Sequence, residues 1–215
     1  SKPCCMNDPF DSLYSLWSLP ENLISLVKDK AHIKILHKSY DYYRLCSFCI
    51  DDDEESILNN NLMWSHYAHE HQGICIKYIL KENCINTDCF NDDQPKLLLH
   101  RINYKNKNSV SVNEKSITVG SAFVQKEKCW EYEKESRLIC FDDRTEKKRI
   151  SISYERGISI EAVYFGINCS KDDKETIKKI LDGKHVLYYD MRLNFKDVYK
   201  MDIVRENDEF KDNNM

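Results

Sequence analysis

The stretch LMWSHYAHEHQG, residues 62–73, and a second stretch, WEYEKESR, residues 130–137, each place tryptophan, tyrosine and several ionisable side chains within a few residues. An asparagine just before the first stretch can cap a helix over residues 62–71, and Gly73 can end that helix. The apolar residues that follow predict a strand over 73–79. Because a domain can fold without gathering polar aromatic residues in this way, we expect the two stretches to line a functional site.

Short apolar runs separated by charged turns recur along the rest of the chain, and its 215 residues include only 5 Gly and 4 Pro. The runs predict helices over 20–38, 62–71, 118–128 and 171–181, and strands over 43–50, 73–79, 97–104, 137–141, 149–154, 158–165, 185–189 and 193–204. Because strands often follow strands, we expect an α+β fold with a mixed, mainly antiparallel sheet flanked by helices. We expect one domain over residues 1–204 and a disordered, charged tail over 205–215.

The charge balance argues against a broad electrostatic binding surface. The 32 basic and 36 acidic residues give a net charge of −4, which supplies no general basic field for nucleic acid or an anionic membrane. No run of about 18 apolar residues predicts a membrane span. Several of the 10 cysteines lie in apolar runs, as Cys75 and Cys140 do, and this placement is typical of buried free thiols. We therefore expect a cytoplasmic protein without a membrane partner.

Two short motifs have the spacing of metal or redox sites. Cys46-x-x-Cys49 lies in an extended apolar run, where the two side chains point to opposite faces of a strand, so we assign it no metal. His66 and His69 share one face of the predicted helix, and imidazoles that converge there could hold a metal. Two other interpretations stay open: His66 or Tyr67 binds a ligand, or the helix only packs its aromatic residues into the core.

Three glutamates alternate with other residues in the second stretch. If Glu131, Glu133 and Glu135 are extended, their carboxylates lie on one face, and charges that close raise one another's pKa. A carboxyl group with a raised pKa suits acid or base catalysis. Arg137 would lie on the same face and could neutralise Glu135. If the stretch is helical instead, the carboxylates fan outward and form a solvated surface.

The motifs together resemble a bacterial family catalogued as domain of unknown function 2971 (DUF2971), and the resemblance covers nearly the whole chain. It rests on the order of these segments: Asn7-Asp8-Pro9-Phe10-Asp11, Ser47-Phe48, Leu62–Ala68 with His71, Gly73 and Cys75, Val124–Lys128, Trp130-x-Tyr132-Glu133-x-Glu135-x-Arg137 and Ala162–Gly166. The opening turn could be purely structural or could place Asp8 in a site. Ser136 stands where an aromatic residue is common in the family. Members usually carry an upstream strand, so we expect an N-terminal strand that this sequence lacks.

The order of the motifs is similar to that of ADP-ribosyltransferase-like domains. This likeness implies NAD as the cofactor, transfer or cleavage of its ADP-ribose, no resident metal, and a protein or nucleic-acid acceptor in a defence or toxin setting. It implies catalytic roles for Glu135, Glu133 and His66, and ligand binding by Trp64, Tyr67, Arg137 and Asp8. Two alternatives stay open. One is a metal-dependent hydrolase using His66 and His69 with Asp8 or Glu135, and the other is a non-catalytic sensor or interaction module.

Overall fold

The computed structural model describes residues 42–50, 53–81, 97–106, 123–141 and 157–206. The described residues form two compact units, each drawn from separate parts of the chain. The first unit holds residues 42–50, 97–106 and 123–141, and the second unit holds residues 53–81 and 157–206. The single domain and the disordered tail expected from the sequence stay predictions.

The described elements are mostly strands, with short helices among them. In chain order they are β1 (Tyr43–Cys49), α1 (Glu54–Leu58), α2 (Asn61–Tyr67), β2 (Ile74–Leu80), β3 (Leu97–Arg101), β4 (Asn103–Lys105), β5 (Gln125–Glu127), a 3-10 helix (Lys128–Glu133), β6 (Glu135–Phe141), β7 (Ile158–Phe165), α3 (Lys171–Ile180), β8 (Leu187–Leu193) and β9 (Met201–Arg205). Four of their six strand pairings are antiparallel and two are parallel. The predicted α+β class with a mixed, mainly antiparallel arrangement is confirmed.

The first unit contains a three-stranded antiparallel sheet in which β6 lies between β1 and β3. β6 is buried from Glu135 to Cys140, and its Ile139 packs with Leu45 and Phe123 in the core of this unit. A second, two-stranded sheet pairs β4 with β5 in parallel. The predicted strands over 43–50 and 137–141 are confirmed, because both apolar runs lie in this sheet.

In the first unit one predicted strand is interrupted, and one predicted helix is wrong. The strand expected over 97–104 breaks at Ile102, because the backbone N–H of Ile102 donates to the Glu135 carbonyl at 2.9 Å and separates β3 from β4. The described part of the helix expected over 118–128 contains β5 instead. Lys126 of β5 is buried in ion pairs with glutamates later in the chain, and such tertiary contacts override local helix propensity.

The second unit contains a four-stranded sheet in the order β2-β7-β8-β9, with α3 connecting the parallel strands β7 and β8. Ser170 caps α3, since its hydroxyl accepts a hydrogen bond from the Asp173 N–H. The predictions of a strand over 158–165 and a helix over 171–181 are confirmed. The last two strands were expected over 185–189 and 193–204, whereas β8 and β9 flank a loop over 194–200.

The helix expected over 62–71 is shorter than predicted. Asn60 caps it as expected, but α2 ends at Tyr67 and the chain turns through three successive residues with positive φ: His69 (47°), Glu70 (53°) and His71 (66°). We call these three residues the left-handed turn. L-residues rarely adopt this conformation in series, so surrounding contacts must hold the turn in place.

Contacts from the end of β7 hold the left-handed turn. The Asn168 N–H donates to the His71 carbonyl at 3.0 Å, and the Gly166 N–H donates to the Gly73 carbonyl at 3.0 Å. The Asn168 side chain also donates to the Glu70 carbonyl at 3.2 Å. The turn is therefore fixed by residues almost a hundred positions away, which a local sequence pattern does not reveal.

Some predictions fall outside the described residues, including the helix over 20–38 and the strand over 149–154. Across the ranges that the structure describes, none of the helices combines the length and apolar character needed to cross a membrane.

Candidate functional site

Four charged side chains of the first unit are buried together: Lys126, Glu133, Glu135 and Arg137, which we call the buried charge cluster. Their residues are only 6%, 3%, 6% and 0% exposed. Lys126 comes from β5, Glu133 ends the 3-10 helix, and the other two lie on β6. Because an isolated buried charge is costly, each of these groups must be compensated by its neighbours.

Glu135 and Arg137 form the rigid half of the cluster. They are two residues apart on β6, so their side chains leave the same face of the strand. Arg137 Nε donates to Glu135 Oε1 at 2.6 Å and Nη2 donates to Oε2 at 3.1 Å, which is a bidentate pair. Nη1 donates to the Phe123 carbonyl at 2.9 Å. The prediction that Arg137 neutralises Glu135 is confirmed.

Lys126 links the two glutamates. Its Nζ lies 2.5 Å from Glu133 Oε2 and 3.2 Å from Glu135 Oε2. The same ammonium lies 5.0 Å from the centre of the Trp130 ring, within the range of a cation–π contact. The Trp130 ring in turn lies 6.0 Å from that of Tyr132. One cation therefore sits between two carboxylates with an aromatic pair beside it.

The surroundings of Glu135 keep it ionised. Burial opposes ionisation and is the largest single effect, but the hydrogen bonds and charge of Arg137, with help from Ser47 and Lys126, together leave the pKa of Glu135 below its usual value. The Tyr104 hydroxyl accepts a hydrogen bond from the Glu135 N–H at 2.7 Å. Burial, reinforced by the nearby glutamate charges, raises the pKa of Tyr104 to about 12, so this phenol stays neutral.

Of the two arrangements left open for the three glutamates, the extended one with a shared face is not found, and the helical one holds only in part. Residues 128–133 form a 3-10 helix, and Lys134 has a positive φ of 46° that reverses the chain before β6. Glu131 is exposed, whereas Glu133 and Glu135 turn inward to Lys126. The pKa of Glu135 is lowered rather than raised, because the hydrogen bonds and charges of Arg137, Ser47 and Lys126 together outweigh the effect of burial.

The candidate residues of the first stretch lie in the second unit. Trp64 is 3% exposed, and its Nε1 donates to the Leu58 carbonyl at 2.7 Å. It belongs to the core of that unit, which favours the packing interpretation for this indole. His66 and Tyr67 are exposed near the end of α2, with ring centres 6.4 Å apart. Their predicted roles as a catalytic and a ligand-binding residue stay predictions.

His71 enters the sequence analysis only as part of the family resemblance, with no role assigned to it. Its ring stacks on Trp64, with centres 6.1 Å apart and planes 13° apart. Its Nδ1 is buried and has no hydrogen-bond partner among the residues that the structure describes. Burial lowers the pKa of His71, because the imidazolium form loses hydration. The histidine spacing was the local signal in the sequence. Because α2 ends at Tyr67, His69 and His71 lie in the left-handed turn and not on the helix, so the spacing does not place His66 and His69 on one helix face.

The unfolding free energy should fall on acidification because of His71. Its pKa in the folded chain is below the usual 6.5, so its contribution is full above that pH and is lost as the pH falls toward the folded pKa. We expect His71→Gln to flatten the decrease in urea-unfolding free energy between about pH 7.5 and 5. His66→Gln, which removes an exposed histidine of α2, is the control for the substitution itself. An unchanged slope in His71→Gln would contradict the prediction.

The structure thus brings together Glu133, Glu135 and Arg137 and adds Lys126 and Tyr104, which sequence reasoning missed. Asp8 lies outside the described residues. Within the described ranges, no three His, Cys, Asp or Glu side chains are grouped so that they could hold a metal ion. Cys46 and Cys49 lie on β1, and neither is in a disulfide bond.

Comparison with known proteins gives one match. Neither the curated proteins nor the solved structures include a significant match to this chain. A family model described as a protein of unknown function (DUF2971) matches residues 63–138, a range that contains the whole buried charge cluster together with Trp64 and the left-handed turn. Over these residues, about a third of the chain, the sequence is similar to the DUF2971 family, and the match supports the resemblance that the motifs predicted.

Proposed function

We propose that the family region binds NAD and transfers or cleaves its ADP-ribose, with Glu133 as the reacting carboxylate. The motif order that is similar to ADP-ribosyltransferase-like domains supports this reaction class, and the acceptor would be water, a protein or a nucleic acid. The proposed setting is defence or toxin action in the cytoplasm of a bacterium.

The observation that carries the proposal is the position of Lys126 Nζ between two carboxylates, 2.5 Å from Glu133 and 3.2 Å from Glu135. A point flanked in this way stabilises positive charge. Cleavage of the bond between ribose and nicotinamide sends the bonding electron pair to nicotinamide and leaves positive charge on the ribose, as in glycoside hydrolysis. Fixed carboxylates in a buried site stabilise such a charge more strongly than water does.

Glu133 suits the reacting role better than Glu135. The rigid guanidinium of Arg137 engages both oxygens of Glu135, which fixes that side chain in place. Glu133 is held by Lys126, and an ammonium on a flexible stem exchanges partners more readily than a bidentate arginine does. Binding would therefore require the substrate to displace Lys126 from Glu133, while Glu135 and Arg137 keep the site in shape.

Glu133→Gln should reduce nicotinamide release by about a hundredfold or more, because it removes the negative charge without changing the shape of the side chain. Glu131→Gln is the matched control, since Glu131 is an exposed glutamate of the same 3-10 helix. Release of nicotinamide from NAD would be measured under single-turnover conditions, together with thermal shifts by ADP-ribose. Saturation at about a hundred times the dissociation constant adds roughly 2.7 kcal/mol to stability. Equal rates in both variants would contradict the proposal.

The second candidate is a non-catalytic interaction module. It is favoured by the burial of all four cluster residues, none of them more than 6% exposed, and by the pairing of two cations with two carboxylates. Such a network can have a purely structural role, in which it fixes a single packed state of the core. A folded wild-type chain that releases no nicotinamide and shows no shift with NAD or ADP-ribose would favour this candidate.

A further inference from the structure

The loop between β8 and β9, residues 194–200, exposes large apolar side chains. Phe195 is 94% exposed, Tyr199 is 81% exposed and Val198 is 78% exposed. Scattered exposed apolar residues are normal on a protein surface, but three within five positions of one loop form a concentrated apolar tip. We call these three residues the apolar tip.

The loop that carries the apolar tip is ordered by its own polar groups. Asn194 Oδ1 accepts hydrogen bonds from the N–H groups of Lys196 and Asp197, both at 2.8 Å. Asp197 Oδ1 accepts from the Tyr199 N–H at 3.2 Å, and the Asn61 side chain donates to the Tyr199 carbonyl at 3.2 Å. The apolar tip is therefore exposed on an ordered loop. Because the loop is already ordered, binding through it costs little conformational entropy.

Two lysines and two aspartates lie beside the tip. Lys196 and Lys200 are exposed, and neither forms an ion pair with any residue in the described ranges. The two carboxylates keep their charge but are held against the loop, since Asp197 Oδ1 accepts from the Tyr199 N–H and Asp202 Oδ1 accepts from Asn194 Nδ2 at 2.9 Å. The loop thus presents apolar side chains next to two lysines that are available to an anion.

We propose that this loop docks on a bilayer surface that contains anionic lipids. The apolar tip enters the interfacial region, and Lys196 and Lys200 contact the anionic headgroups. Aromatic side chains and lysines with apolar stems are favoured at membrane interfaces, whereas lysine is depleted from protein–protein interfaces. A protruding tip needs no matching pocket in a fluid interface.

The alternative occupants fit the loop less well. A second copy of the chain would bring the same lysines against each other across a twofold axis, which is repulsive. Single-stranded nucleic acid would use the aromatic rings and lysines, but Val198 offers it neither stacking nor charge. The net charge of −4 argues only against binding by the whole surface. Docking through one loop is local, reversible and dependent on salt.

Vesicle sedimentation of the intact chain tests the proposal. The probes are phosphatidylcholine vesicles with and without about one-third phosphatidylserine. We expect binding to the anionic vesicles, at least tenfold weaker binding to the neutral ones, and at least a tenfold loss in Phe195→Ser. Lys196→Ala combined with Lys200→Ala should lose the preference for anionic vesicles. Ile180→Ser is the matched control, because Ile180 is an exposed apolar residue on α3, and it should bind as the wild type does.

Each other outcome would overturn the proposal. These outcomes are no wild-type binding to anionic vesicles, equal binding by Phe195→Ser and wild type, and an equal loss in Ile180→Ser. A dimer in sedimentation velocity that Phe195→Ser abolishes, without vesicle binding, would assign the loop to a second copy. Binding to single-stranded oligonucleotides in place of vesicles would assign it to nucleic acid. Thermal melting of each variant confirms that it is folded, which these exposed positions should permit.

Discussion

Replacing Arg137 with methionine is expected to lower the free energy of unfolding by about 3–5 kcal/mol. Arg137 is fully buried, and its guanidinium engages both oxygens of Glu135 and the Phe123 carbonyl. Methionine fills a similar volume but leaves the buried carboxylate with less compensation. Urea unfolding would measure the loss, and hydrogen exchange of the β6 amides would locate it in the first unit.

The control for Arg137→Met is Arg192→Met. Arg192 is a partly exposed arginine whose Nη2 lies 3.7 Å from Asp190 Oδ2, so its replacement should change the unfolding free energy by no more than about 1 kcal/mol. Combining Arg137→Met with Glu135→Gln should cost less than the sum of the two single changes, because the unpaired charge disappears with its partner. A loss below about 1 kcal/mol in Arg137→Met, or strict additivity, would contradict the ion-pair account.

The ion pair between Glu135 and Arg137 also makes the free energy of unfolding depend on pH. The pKa of Glu135 in the folded chain lies below the usual 4.5, so its contribution to stability is full above that value and is lost as the pH falls through the folded pKa. Arg137→Met should remove this part of the acid-induced loss. The wild type and the variant should therefore converge in stability at low pH.

Local patterns predicted the strands of both sheets well. The apolar runs ending at Phe141 and Phe165 are strands that bury most of their apolar residues, from Glu135 to Cys140 in β6 and from Ala162 to Phe165 in β7. The pairing of Glu135 with Arg137 could also be predicted from the sequence, since residues two apart on a strand lie on the same face. These features depend on neighbours in the sequence, so one sequence suffices to find them.

The rest of the candidate site depends on contacts distant in sequence. The sequence predicts a helix at Lys126, whereas burial of its side chain against Glu133 and Glu135 places it on β5. The chain turns between the two glutamates at Lys134, which has a positive φ. Because this residue is not a glycine, the sequence does not signal the turn. Likewise the early end of α2 follows from contacts with the end of β7. Neither periodicity nor capping signals report such long-range effects.

Replacing Gly166 with alanine is expected to lower the free energy of unfolding by about 3 kcal/mol. A Cβ at this position would lie 2.1 Å from the His71 carbonyl oxygen, 2.7 Å from the His71 carbonyl carbon and 3.0 Å from the Gly73 carbonyl oxygen. All three are backbone atoms, so no side-chain rotation can relieve the clash. The left-handed turn would have to move, and its hydrogen bonds from Gly166 and Asn168 would weaken.

Gly183→Ala separates this steric effect from the ordinary cost of losing a glycine. Gly183 has a φ of +74°, but a Cβ there meets nothing within 4 Å, so alanine should cost only about 1 kcal/mol of backbone strain. Gly166 is not among the described residues with positive φ, so its cost should come from the clash alone. Urea unfolding gives both losses, and the chemical shifts of the His71 ring report on the turn. Two outcomes would contradict this prediction: equal losses of unfolding free energy in the two variants, or unchanged chemical shifts of the His71 ring in Gly166→Ala. Either would show that the left-handed turn tolerates a Cβ at position 166 and does not require a glycine there.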